Sequence, residues 1–136
     1  MDQDFPRVGI TFLDGAFAVH RFDAADPVPD PRTIDGICAC FRTPETTTLV
    51  CDEAVAVHAS ESTRGWTAMV VDGPLDFALT GILAGISEVL ARAGISIFAL
   101  SCWETDYVLV RSEARDDAAA ALRDAGYPVT RADGEG

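Results

Sequence analysis

Hydrophobic positions change period along the chain, and the change divides it. In the first part the apolar residues alternate: Val8, Ile10 and Phe12, then Phe17 and Val19 after Asp14-Gly15. Period-two alternation on either side of a tight-turn dipeptide predicts a β-hairpin. Ile37 to Arg42 and Thr47 to Cys51 are two further β-rich runs, parted by the turn-forming Thr43-Pro44-Glu45. Asp52 to Val57 fits either a short helix or an irregular segment.

From Trp66 onward the pattern becomes mixed. Trp66 to Val71 reads as a strand, and Ile82, Leu83, Ile86, Val89, Leu90 and Ala93 recur at helical spacing with Gly94 as the stop. Ile95 to Cys102 is almost wholly apolar, which predicts a strand buried on both faces. Trp103 to Asp106 is a turn, and Tyr107 to Val110 is the next strand. Ser112 is placed to cap a second helix, with Glu113, Asp116 and Asp117 suited to its positive end. Ala118, Ala119 and Leu122 give that helix a narrow apolar stripe, Gly126 ends it, and Pro128 to Arg131 makes a last, edge strand. The order is β-α-β-β-α-β, which predicts an α+β, ferredoxin-like fold: an antiparallel sheet with two helices on one face.

Two segments read as joints. Asp23 to Arg32 contains Pro27, Pro29 and Pro31, which exclude a helix interior or a central strand. His58 to Gly65 is small and polar, a connector. These joints predict one unit over residues 1–62 and a second over 63–132, with a frayed tail after Ala132.

Composition narrows the function. The 136 residues carry 10 basic and 22 acidic side chains, a formal net charge of -12, and every basic residue is Arg. Without a basic stripe, nucleic acid and anionic membrane surfaces are disfavoured as partners. No apolar run approaches the roughly 20 residues of a membrane span. Met1-Asp2-Gln3-Asp4 lacks the features of a signal peptide, so the cytoplasm is the expected location. Cys38, Cys40, Cys51 and Cys102 are then reduced, and are read as small buried apolar side chains. No CxxC or HxxxH spacing is present, so neither a metal nor a cofactor is expected.

The run Thr80 to Ile97 resembles the first helix and second strand of an ACT domain, with Thr80-Gly81 standing where that family usually has Pro-Gly. Gly73 to Phe77, Leu79 to Ile82, Thr105-Asp106-Tyr107 and Leu109-Val110 resemble the CASTOR-like ACT subfamily. Phe41 to Glu45 and Leu49 to Cys51 resemble the first unit of that subfamily. The resemblance implies two tandem ACT-like units, the N-terminal one abbreviated. It also implies a regulatory amino-acid sensor, with ligand held where units meet, in a homodimer that signals to a protein partner. An arginine-like ligand is one such amino acid.

Under that resemblance the candidate ligand-binding residues are Gly73, Pro74, Leu75, Asp76, Thr80, Gly81, Ile82, Cys102, Trp103 and Asp106. Gly73 and Pro74 turn the chain, and Gly81 opens a helix whose unpaired amides suit a ligand carboxylate. Thr80 can cap that helix or donate to the ligand. Asp106 can accept from an ammonium or a guanidinium, and Trp103 can stack on the latter. Each has a structural alternative: Gly73-Pro74 a plain turn, Thr80 a plain cap, Asp106 a self-bonded turn residue, Trp103 a core or interface side chain. Asp76 either accepts from loop amides or faces ligand, while Phe77 anchors the loop.

No nucleophile elbow or phosphate-binding loop occurs, and His20 and His58 lie far in sequence from these loops. The chain is therefore not read as an enzyme. The rival reading is a structural or protein-interaction module whose ligand site has degenerated at Thr80, Cys102 and Trp103.

Overall fold

The computed structural model describes residues 5–76 and 80–132. The acidic start, Phe77, Leu79 and the tail beyond Ala132 lie outside the described residues. Two compact units are present: one is built from the segments Met1–Asp14 and Thr67–Gly136, the other from Gly15–Trp66. The chain thus does not divide at residue 62, because the N-terminal strand joins the C-terminal segment.

In the first unit the elements are β1 (Ile10–Phe12), the end of a long strand, α1 (Ile82–Arg92), and a strand pair followed by α2 (Arg115–Asp124) and a final strand. With β2 (Phe17–Asp23), β3 (Ala39–Arg42) and β4 (Thr46–Asp52) numbered in the other unit, the long strand is β5 (Glu61–Val71). The pair is β6 (Phe98–Ser101) and β7 (Asp106–Arg111), and the last strand is β8 (Val129–Arg131). From β5 to β8 the order is the expected β-α-β-β-α-β, and the fold is α+β and ferredoxin-like. The strand order in this unit is β8-β1-β5-β7-β6. β1 lies between β8 and β5, parallel to the former and antiparallel to the latter.

The helices cover one sheet face. Ile10 pairs with Val71 and Phe12 with Met69, so their side chains share a face. They meet Ile82, Ile86 and Leu90 of α1 and Ala118 and Leu122 of α2 in one core. Those helical positions are the apolar stripes of the sequence, and Gly94 and Gly126 terminate the helices at φ 75° and 97°.

Five expectations are corrected. The strands flanking Asp14-Gly15 do not form a hairpin: β1 pairs with β5 and β8, and β2 pairs with β4 and β5. Each finds more partners against the long β5 than against the other. The connector at 58–65 is in part strand, since β5 begins at Glu61. Its exposed polar residues give no apolar signal there, because this part of β5 is an edge. β6 is not buried on both faces: it pairs with β7 alone, and Ala99 and Ser101 are exposed. Ser112 begins a 3-10 turn and caps nothing, and α2 starts at Arg115 without a side-chain cap. Of the four thiols only Cys51 is buried; Cys40 and Cys102 are exposed because they sit on an edge strand and in a turn.

The second unit orders its strands β3-β4-β2-β5. β3 and β4 are joined at Thr43, whose hydroxyl accepts from the amides of Glu45 and Thr46. Phe22, Leu49 and Cys51 form its core, covered by Val28, Ile34, Val55 and Val57 from irregular segments in place of a helix. The proline-rich joint contains one 3-10 turn, at Pro31–Thr33, where Asp30 accepts from the Arg32 amide at 3.0 Å.

Candidate functional site

Two loops at one end of the first unit are laced together. The Leu75 amide donates to the Glu104 carbonyl at 2.8 Å. The buried Thr105 hydroxyl donates to the Val71 carbonyl at 2.6 Å. Gly73 sits at this crossing: a Cβ there would lie 3.3 Å from Glu104 O and 3.2 Å from Leu75 N. Asp72 leaves β5 bonded through its amide to Gly9 O, and its carboxylate accepts from the Thr11 hydroxyl at 2.7 Å. The exit of β5 is thereby fixed before the chain reaches α1.

Gly81 is the N-cap of α1, at φ 81°, a left-handed conformation that a side chain would strain. No side chain caps the helix, so Thr80 does not play the capping role. The first three helical residues, Ile82, Leu83 and Ala84, have no carbonyl within the helix for their amides. The helix start therefore presents amides that the helix itself leaves unpaired, and partial positive charge.

Opposite it stands the β6–β7 turn. The Cys102 amide donates to the Thr105 carbonyl at 2.9 Å, closing the turn. Ser101 and Asp106 are the last register pair, and the Ser101 hydroxyl donates to Asp106 Oδ1 at 2.6 Å. Trp103 is 75% exposed.

Between helix start and turn lies a cavity of about 380 Å³, within the usual range for small-molecule sites. Of the ten residues expected at a ligand site, Leu75, Asp76, Gly81, Ile82, Cys102, Trp103 and Asp106 line it, and Gly73, Pro74 and Thr80 do not. Gly73 acts from behind, at the loop crossing. Leu83, Ala84, Ser101, Glu104 and Thr105 also line it and are not among those ten. Glu104 was visible as an acid two residues before Asp106. Ser101 needed the β6–β7 register.

Charge in the cavity is one-sided. Among the described residues that line it, Asp76, Glu104 and Asp106 contribute carboxylates and none is Arg or His. The amides at the helix start are its positive element. Such a site complements a molecule that carries one carboxylate and an excess of cationic groups.

The histidines lie elsewhere. His20 is fully buried in the second unit, with Nδ1 2.7 Å from Ser62 Oγ. Burial, and then the charge of Arg64, push its pKa down. Burial pushes the Cys51 and Cys38 thiols up, which favours the unreactive protonated form. Among the described residues no group of three or more His, Cys, Asp or Glu is placed to hold a metal ion. Among the same residues no helix is long and apolar enough to cross a membrane.

Residues 61–124 match the family model of the ACT domain, a domain that is typically regulatory and binds amino acids. The chain is similar to an Agrobacterium tumefaciens protein of known crystal structure, with 27% identity, 96% of this chain and 98% of that chain covered, and a TM-score of 0.85. A Vibrio cholerae protein of unknown function, described as a possible transport protein, shares 22% identity over 87% of this chain and 89% of its own, with a TM-score of 0.67. The regulatory subunit of aspartate kinase from Thermus thermophilus is alike in fold at 14% identity, with 89% and 99% covered and a TM-score of 0.58. No curated protein sequence matches the chain.

Proposed function

We propose that this protein is a non-catalytic regulatory module, of the CASTOR-like ACT type, that binds a free amino acid in the cavity between the start of α1 and the β6–β7 turn. The observation that carries the reading is that Gly81, Ile82, Leu83 and Ala84 at the start of α1 line the same cavity as Asp106. The ligand carboxylate accepts from the Ile82 to Ala84 amides. The α-ammonium meets the Asp106 oxygen that Ser101 leaves unused. Asp76 and Glu104 then favour a cationic side chain, and an arginine-like guanidinium can stack on Trp103. In this reading the protein works in the cytoplasm as a homodimer, and occupancy shifts its affinity for a protein partner through unequal binding to two states.

A calorimetric titration against all twenty amino acids tests the proposal. Saturable heat with arginine or another basic amino acid supports it; silence across the set at millimolar concentration sinks it. One observation favours a second reading. The Trp103 indole lies on an edge turn with three-quarters of its surface in solvent, the kind of aromatic that protein interfaces bury. A module with a degenerate site would show no melting shift with any amino acid, yet would bind a protein partner stoichiometrically.

A further inference from the structure

A second cavity in the first unit has the opposite charge. It encloses about 210 Å³ between β8 and one side of α2. Arg115, Arg123 and Arg131 line it, and among the described residues Asp116 is the one carboxylate that does. Three of the chain's 10 basic residues thus share one small cavity in a protein of net charge -12. Long-range self-attraction in so acidic a chain would scatter its arginines among carboxylates. Their gathering here runs against that tendency.

The guanidiniums are held but hardly neutralised. Arg115 lies over the ring of the buried Phe12 at 5.6 Å, and its guanidinium makes no hydrogen bond among the described residues. Its position is fixed by the aromatic floor while its donors stay available. Arg123 spends one nitrogen on the Val129 carbonyl at 3.2 Å. Arg131 approaches Asp116 only at 3.8 Å, and the Asp116 side chain is 91% exposed. A pair so long and so exposed is worth little and is readily exchanged. The three arginines come from the beginning of α2, from its last turn and from β8, so donors reach the cavity from separate elements.

We infer that this cavity is an oxyanion site that takes a phosphate group, either free or as a small phosphate monoester. A planar carboxylate is satisfied by one guanidinium fork. A tetrahedral dianion has oxygens for three forks, and it matches the excess of two guanidiniums over one carboxylate among the described lining residues. Ala119 and Val129 supply a low wall that lets the anion approach closely. The site is independent of the amino-acid cavity, and its failure would leave that reading untouched.

The test titrates the full chain with inorganic phosphate, glycerol phosphate and acetate, each against sodium chloride at matched ionic strength, by calorimetry and phosphorus NMR. Saturable binding of phosphate or the monoester, with acetate at least about ten-fold weaker, is the expected result; which of the two binds tighter identifies the source. Arg131→Gln and Arg123→Gln should each weaken binding about ten-fold. Arg115→Gln removes the contact to Phe12 and endangers the fold, so Asp116→Asn provides a second check. It deletes the competing carboxylate from an exposed position and should tighten phosphate about three- to five-fold. Acetate binding as tightly as phosphate, a response matched by chloride, or affinity unmoved in all of these variants would overturn the assignment.

Discussion

The Ser101 hydroxyl donates to Asp106 Oδ1 at 2.6 Å, across the final register pair of β6 and β7. The bond fixes the Asp106 side chain at the lip of the cavity and uses one of its two oxygens. The other has no partner among the described residues. Asp106→Asn keeps the shape and removes the charge. It should weaken a basic amino acid at least ten-fold, since a charge-assisted bond becomes a neutral one. Ser101→Ala, which loosens the carboxylate without deleting it, should cost only a few-fold. Calorimetry on the two variants reads the difference, and equal effects would argue that Asp106 serves the turn alone.

Gly85 lies on the buried face of α1. A Cβ there would stand 2.5 Å from Tyr127 Oη and 2.7 Å from Phe5 Cβ. Gly85→Ala gains up to about 1 kcal/mol of helix propensity. It loses about 1–3 kcal/mol to overpacking in a tight core. The second effect wins, so the variant should melt lower. Leu90→Ala, at a fully buried position, should cost about 2–5 kcal/mol by leaving a cavity. Denaturant melts rank the two, and a Gly85→Ala protein as stable as the parent would show that Phe5 gives way freely.

Much of this arrangement was legible in the residues, and the reasons are physical. Ile82, Ile86 and Leu90 carry a helical period because one face of α1 meets the core. The order strand, helix, strand, strand then brings the end of β5, the start of α1 and the β6–β7 turn to one end of the unit. Gly81 and Asp106 could therefore be expected together before any distance was known. What stayed hidden has equally definite causes. Residues 61–65 of β5 form an edge and are polar, so alternation never marks them. Phe98 to Leu100 is apolar although Ala99 is exposed, so hydrophobicity overstated the burial of this strand. Asp14-Gly15 is a good turn dipeptide, yet local turn chemistry yields to the pairing that β1 finds with both β5 and β8. Thr80 precedes the helix as a cap would, but only backbone angles tell that Gly81 takes that place.

His20 gives the second unit a pH dependence. It is fully buried, its Nε2 has no hydrogen-bond partner among the described residues, and burial pushes its pKa below the usual 6.5. The unfolded chain therefore binds a proton that the folded unit resists. Stability is full above pH 6.5 and declines as pH falls from there toward the depressed folded value. Thermal melts at about pH 7.5 and about pH 5.5 should show the loss. His20→Gln, which cannot charge, should flatten that slope even if it lowers stability throughout. An unchanged slope in the variant would assign the dependence to other groups.

The Thr105 hydroxyl joins the β6–β7 turn to the last carbonyl of β5 at 2.6 Å. Thr105→Val preserves volume and branching and deletes only that bond. The buried Val71 carbonyl then loses a partner, at a cost of about 1–3 kcal/mol. The Leu75 amide still holds Glu104 O, so the two loops should remain together but less tightly fixed. The effect on ligand binding should exceed that of an equally destabilising core change such as Leu90→Ala, because the turn carries Asp106 and Glu104 into the cavity. Calorimetry at a temperature where both variants are fully folded makes the comparison. A Thr105→Val protein that binds like the parent, with the stability loss intact, would show that the turn holds its own shape without β5.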